Sequence, residues 1–163
     1  MRTSLWVKGE ETASQLLRDK GYDVFPFQEI KMKFFYKNYR WVKSKDQKWS
    51  WLPHGTWIKR TRINKFVLKE ISYLQNIFGE NYSKLDLFME KIEPIICEEA
   101  RLHRSSYGPD FIAVKNDDLV FVEVKMGKGH LTKYQREFFS KAKNIGIRIL
   151  IILINESIKL NEF

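Results

Sequence analysis

The chain has a single cysteine, Cys97, among its 163 residues, so no disulfide can close within it and no Cys-based metal cluster can be assembled. Cys97 is expected as a buried residue on a helix of a reduced, cytoplasmic protein. Glycine and proline are scarce, at eight and four residues, and hydrophobic residues make up 44 %. That balance excludes low-complexity and disordered classes and leaves a globular chain of one-domain size. No apolar run approaches the roughly 20 residues a membrane helix needs. The run ILIILI near the C-terminus is short and β-branched and reads as a central strand. The N-terminal stretch MRTSLWVKGEE lacks the apolar segment of a signal peptide, so a soluble chain without a membrane partner is expected. No phosphate-cradling glycine loop or Ser-His-Asp order is present.

Acidic residues are scarce in one place in particular. Residues 31–65 hold 11 Lys or Arg against one acid, Asp46, while the whole chain carries +9, so the remainder is near neutral. Four of the five tryptophans lie in the same stretch. Cations interleaved with Phe34, Phe35, Tyr36, Tyr39, Trp41, Trp49, Trp51 and Trp57 suit a surface that follows phosphates and stacks rings on bases or sugars. The plainer reading is a small β-meander whose rings form its own core and whose lysines are solvated. Nucleic acid is the expected partner, and Lys31, Lys33, Lys37, Arg40, Trp41, Lys59, Arg60 and Arg62 are the expected contacts.

Local signals outline the elements. Residues 9–20 read as a helix stopped by Gly21, and 22–27 as a strand. The basic aromatic stretch shows period-two segments that predict hairpins. Residues 66–79 form an amphipathic helix ended by Gly79. A further helix from 84, capped by Ser83 and kinked or restarted at Pro94, runs to about 103. Strands over 110–115 and 119–125, a helix over 132–144 and a strand over 147–154 complete the chain.

The segment YGPDFIAVKNDDLVFVEVKMG, residues 107–127, places three charged side chains in strands otherwise apolar on both faces. A tight turn at Asn116 and Asp117 sets Val114 opposite Leu119, Ile112 opposite Phe121, and Asp110 opposite Glu123. Lys125 then points to the same face at the same end. Two carboxylates so placed are destabilising by several kcal/mol unless a cation lies between them. Mg²⁺ or Mn²⁺, held by both acids and a main-chain carbonyl, would satisfy that demand. A buried ion triad balanced by Lys125, or a surface hairpin, are the other readings of the same residues.

Pro109 and Asp110, followed after 12 residues by Glu123, Val124 and Lys125, resemble the motif of the PD-(D/E)XK nuclease superfamily. Residues 108–154 resemble its VRR-NUC type, in which a glycine-containing loop, a Leu-Ser/Thr pair and a helical Gln follow the lysine strand; Leu131, Thr132 and Gln135 stand at those places. Residues 8–25 resemble the first helix and strand of archaeal Holliday-junction resolvases, with Glu10 eleven residues before Gly21. The resemblance implies an α/β, restriction-endonuclease-like α-β-β-β-α-β core with a central mixed sheet flanked by helices. Residues 1–27 and 109–163 would form that core, and 28–108 a basic aromatic β/α insertion between the first two core strands, longer than resolvases carry there.

It further implies a metal-dependent DNA endonuclease. Asp110, Glu123 and the carbonyl of Val124, with Glu10 as a further ligand, would hold Mg²⁺ or Mn²⁺. Lys125 would orient the attacking water, and Gln135 would position Lys125, water or phosphate. A homodimer is implied by analogy alone. The alternatives are a non-catalytic nucleic-acid-binding module and an RNA-processing nuclease. Glu98 and Glu99, on the helix that precedes Pro109, rival Glu10 for the helical acid, although in the plainer reading both face solvent.

Overall fold

The computed structural model describes residues 4–43, 55–60, 64–102, 108–155 and 157–163. Its elements run α1 (Ser4–Asp19), β1 (Asp23–Pro26), α2 (Phe27–Asn38), β2 (Tyr39–Lys43), β3 (Gly55–Lys59), α3 (Lys65–Phe78), α4 (Tyr82–Arg101), β4 (Phe111–Lys115), β5 (Asp118–Met126), α5 (Lys133–Asn144), β6 (Arg148–Ile154) and β7 (Ile158–Glu162). The protein is α/β, with a five-stranded mixed sheet in the order β1-β4-β5-β6-β7 and a separate β2–β3 pair. β5 and β6 are parallel and joined through α5, while every other neighbouring pair in the sheet is antiparallel. No described helix is long and apolar enough to cross a membrane.

Two helices that lead into strands stop in the same way. After α1 the N–H of Tyr22 reaches Leu17 O at 3.0 Å and that of Gly21 reaches Arg18 O at 2.9 Å. After α5 the N–H of Ile147 reaches Ala142 O at 3.1 Å and that of Gly146 reaches Lys143 O at 2.9 Å. Gly21 and Gly146 hold φ of 92° and 84°, which a side chain would strain. Each turn satisfies carbonyls at the helix end and aims the next strand into the sheet.

Alternation along the strands builds two apolar layers. Val24, Phe111, Ala113, Val120, Val122, Val124, Leu150 and Ile152 face α1, which buries Ala13 and Leu17 against them. Ile112, Val114, Phe121 and Ile149 face the opposite way, onto Phe138, Phe139 and Ala142 of α5 and onto α2, α3 and α4. Residues 28–108 thus supply three of the helices that cover one face of the sheet. Phe27, Phe88, Phe121 and Phe138 meet there at ring-centroid distances of 5.3 to 6.2 Å.

Several elements differ from the sequence expectation for identifiable reasons. Phe27–Asn38 form helix α2, whose Phe27, Ile30 and Phe34 lie on its buried side. Phe34 stacks on Tyr82, and Tyr39 is buried, so these two rings turn inward, Phe34 from a helix into the main core and not into a core of a separate β-meander. α4 begins at Tyr82 rather than after Ser83 and continues through Pro94 to Arg101. β7 falls outside the expected elements: its Ile158-Lys159-Leu160-Asn161 alternation is short, and all five of its residues are exposed at the sheet edge. Trp49, Trp51, Arg62, His54 and His103 lie outside the described residues.

Candidate functional site

The β4–β5 turn is made at Asn116, whose φ is 54°, and the ladder runs from Lys115↔Asp118 to Phe111↔Val122. This is the register the turn chemistry predicts. Asp110 then leaves the ladder. Its N–H donates to Val122 O at 3.0 Å, its carbonyl accepts the N–H of Phe27 at 3.0 Å, and its Oδ2 accepts the N–H of Val124 at 2.8 Å. The carboxylate therefore takes over a main-chain acceptor's role and bridges past Glu123, where simple continuation of the register would have set the two acids squarely opposite. The start of α2 contributes to this placement, since Phe27 N–H is one of the helix's otherwise unsatisfied first donors.

Glu123 and Lys125 lie two residues apart on β5 and so share a face. Glu123 is 2 % exposed and Lys125 is 8 % exposed. Glu123 Oε1 accepts from Lys125 Nζ at 3.0 Å and from Gln135 Nε2 at 2.8 Å. Gln135 Oε1 in turn accepts from Lys125 Nζ at 3.1 Å and from the main-chain N–H of Thr132 at 3.0 Å. The Gln135 main-chain N–H donates to Thr132 Oγ1 at 3.2 Å, closing a capping box at the start of α5. One carboxamide thus begins the helix and ties both charged residues of the strand to it. Spacing alone could have revealed the cap, through the sequence Thr132-Lys133-Tyr134-Gln135, but not the tie to Glu123 and Lys125.

Magnitudes bear on what such a cluster is for. At 3.0 Å the pair attracts by about 5.5 kcal/mol at an effective dielectric of about 20. Removing two ions from water is penalised by several kcal/mol each, so the pair adds little or nothing to net stability. Burial pushes the Glu123 carboxyl above its ordinary pKa, and the Lys125 charge and the Gln135 hydrogen bond pull it partly back. Glu123 Oε2 is buried without a hydrogen-bond partner. An orphaned carboxylate oxygen of this kind is penalised by at least about 1–3 kcal/mol.

A divalent cation fits that unsatisfied oxygen. Hard oxygen donors suit Mg²⁺ or Mn²⁺, and Asp110 and Glu123, with the Val124 carbonyl, are the residues that would hold it. Among the described residues no three His, Cys, Asp or Glu side chains are gathered where they could hold a metal ion. Glu10 is therefore not assembled with Asp110 and Glu123 into a three-carboxylate cluster. It sits half-buried on α1, beside Gly9, which packs on Met126 at the end of β5. That places Glu10 at the lysine end of β5, on the helix covering the other face. Glu99 is 2 % exposed and paired with Lys141 of α5 at 3.0 Å, while Glu98 meets the same lysine at 3.2 Å. The expectation that both glutamates face solvent fails for Glu99.

The basic residues separate into two groups. Lys37 is buried, bonded to Asp86 and 3.4 Å from Tyr82 Oη. Lys31 is also buried, 5.8 Å from the centre of the Phe27 ring, and burial lowers its pKa. Neither has the posture of a lysine that follows phosphates. Lys33 pairs with Glu29 at 2.7 Å, and Lys59, though largely exposed, reaches Glu93 at 3.1 Å. Arg40 is exposed on β2, Trp41 lies opposite Trp57 in the β2–β3 ladder, and the Arg60 guanidinium lies over Phe66 at 4.4 Å.

Sequence reasoning passed over a polar junction between the β2–β3 pair and α4. Tyr39 Oη donates to Glu93 and lies 3.5 Å from Cys97 Sγ, with Lys59 on the same carboxylate. Burial, first of all, and then Glu93 and Cys97 raise the Tyr39 pKa. Cys97 is half-buried beside this hydroxyl. Each contact joins residues at least 34 apart in sequence, and no local signal joins them.

No family model, curated protein or solved structure matches the chain.

Proposed function

We propose that the protein is a divalent-metal-dependent phosphodiesterase acting on nucleic acid, a DNA endonuclease of the PD-(D/E)XK type. The observation that carries this reading is the buried Glu123 carboxylate with one unpartnered oxygen, set among Asp110, Lys125 and Gln135 at one end of β5. The α1-β1-β4-β5-α5-β6 order supports it, being the order the resemblance implies.

Bound Mg²⁺ or Mn²⁺ would supply Lewis-acid polarisation of the scissile phosphate and lower the pKa of a bound water. The side chains do the remainder. Asp110, pinned at its N–H, its carbonyl and one carboxylate oxygen, presents a donor that needs no reorganisation. Lys125, held by Glu123 and Gln135, would set a positive charge beside the attacked phosphate and orient the attacking water. Gln135 limits the movement of both Glu123 and Lys125.

Incubation of the purified protein with labelled linear duplex, single strand, flap, four-way junction and RNA, with Mg²⁺, Mn²⁺ or EDTA, tests the reading. Metal-dependent cleavage of DNA that disappears in Asp110→Ala and Glu123→Ala is expected. Binding without cleavage by the wild type in any metal would replace the enzyme with a binding module, and cleavage confined to RNA would reassign the substrate.

A further inference from the structure

α3 buries Val67, Leu74 and Phe78 along one side, with Ile71 half-buried beside them. A second stripe, about a quarter turn away, remains exposed although three of its residues are apolar; half-buried Glu70 lies between Phe66 and Tyr73 on the same side. Phe66 is 44 % exposed, Tyr73 is 52 % and Ile77 is 41 %. Phe66 and Tyr73 are seven residues apart, so their rings project from the same side about 10 Å apart along the axis. An apolar stripe in water is unfavourable, and exposed aromatic rings in register call for a partner.

Each of these rings has a cation near it, although Lys33 beside Tyr73 is also paired with Glu29. The Arg60 guanidinium lies 4.4 Å from the Phe66 centroid, and Lys33 Nζ lies 6.0 Å from that of Tyr73. Lys65 and Lys69 are exposed on the same helix, whose one acid, Glu70, is half-buried, so cations still outnumber carboxylates along it. A stripe meant for an apolar protein surface would bury these charges at a cost of several kcal/mol each. A polyanion with flat apolar rings meets both demands. Bases of a duplex are already stacked on one another and offer only their edges, whereas unpaired bases offer faces.

We propose that the Phe66–Tyr73 stripe of α3, with Arg60, Lys33, Lys65 and Lys69, is a stacking platform for single-stranded nucleic acid. It deepens the proposed function, since it would direct that site to substrates with an unpaired segment, such as flaps or gapped junctions. The phosphates of the strand would lie along the lysines and Arg60, and successive bases would lie against the two rings.

Fluorescence anisotropy with a labelled 20-mer single strand and the matching duplex tests this, in EDTA, with wild type, Phe66→Ala, Tyr73→Ala and Tyr73→Phe. Both alanine variants are expected to bind the single strand at least fivefold more weakly, with duplex affinity changed less than twofold. Tyr73→Phe, which keeps the ring, is expected to bind as wild type does. Unfolding midpoints within 2 °C of wild type would show that the exposed substitutions leave the fold intact. Equal loss for single strand and duplex, unchanged binding in both alanine variants as a protein-docking face would give, or a Tyr73→Phe loss matching Tyr73→Ala would each overturn the platform. Because EDTA removes cleavage, the platform can fail while Glu123-dependent cleavage survives. The converse pattern would sink the nuclease reading and leave the platform standing.

Discussion

Gln135 Nε2 donates to Glu123 Oε1 at 2.8 Å while Gln135 Oε1 accepts from Lys125 at 3.1 Å, so a neutral side chain holds both charges of the candidate site. Gln135→Ala removes both bonds and the reciprocal half of the capping box. A loss of roughly 1–2 kcal/mol in urea unfolding is expected from the cap and from unpairing a buried acceptor. Cleavage is expected to fall at least tenfold, measured as kcat on the best DNA substrate. A variant with reduced stability and unchanged kcat would make Gln135 a helix cap only.

The metal reading can be checked without activity. Mg²⁺ at a hundredfold excess over its Kd stabilises a protein by about 2.7 kcal/mol if it binds only the folded state. Differential scanning fluorimetry should show a Tm increase in wild type that vanishes in Asp110→Asn and Glu123→Gln. Equal increases in all three proteins would place the ion elsewhere.

Glu123 also predicts a pH dependence. Its folded pKa lies above its ordinary 4.5 because burial disfavours the charged form. A carboxyl raised in this way contributes stability in full below the unfolded value and loses that contribution as pH rises through the folded value. In EDTA, the unfolding free energy of wild type relative to Glu123→Gln should therefore fall as pH is raised from below 4.5. A flat difference across that window would mean that Lys125 and Gln135 cancel the burial effect.

The lysines of residues 31–65 should divide by burial. Lys37→Ala removes a buried side chain and its bond to the partly exposed Asp86, so a loss of about 1 kcal/mol or more is expected, with the salt dependence of DNA binding unchanged. Lys59→Glu, at an exposed position, should instead flatten the plot of log K against log salt by about 0.7–0.9 for each phosphate that Lys59 neutralises. If Lys37→Ala alters the salt slope as Lys59→Glu does, the division by burial is mistaken.

Glu10 and Glu99 now make opposite predictions. Glu99 is committed to Lys141, so Glu99→Gln should lower the unfolding midpoint and leave kcat within twofold. Glu10, at the lysine end of β5, should lose at least tenfold in cleavage as Glu10→Gln with little loss of stability. Abolition of cleavage by Glu99→Gln alone would move the helical acid to α4.

The sequence by itself determined those features whose causes lie within a few residues. The β4–β5 register follows from Asn116 and the alternation on either side of it, and the covering of both sheet faces follows from the apolar runs. The stops at Gly21 and Gly146 and the start of α5 at Thr132 follow from local backbone hydrogen bonding. Proximity of Glu123 and Lys125 follows from a period of two.

Tertiary structure decided whatever depended on a partner far along the chain. Phe34 and Tyr39 turn inward because α4 brings Tyr82 and Glu93 to them, and Lys37 is buried because Asp86, 49 residues on, meets it. A stretch that alternates rings with cations is equally consistent with an inward or an outward set of rings, and only the apolar area offered by α3, α4 and the sheet selects between them. Asp110 leaves the ladder because its main chain and carboxylate are engaged by Phe27 and Val124 together. No pairing rule within the hairpin contains that third element, since α2 belongs to a segment more than 70 residues earlier.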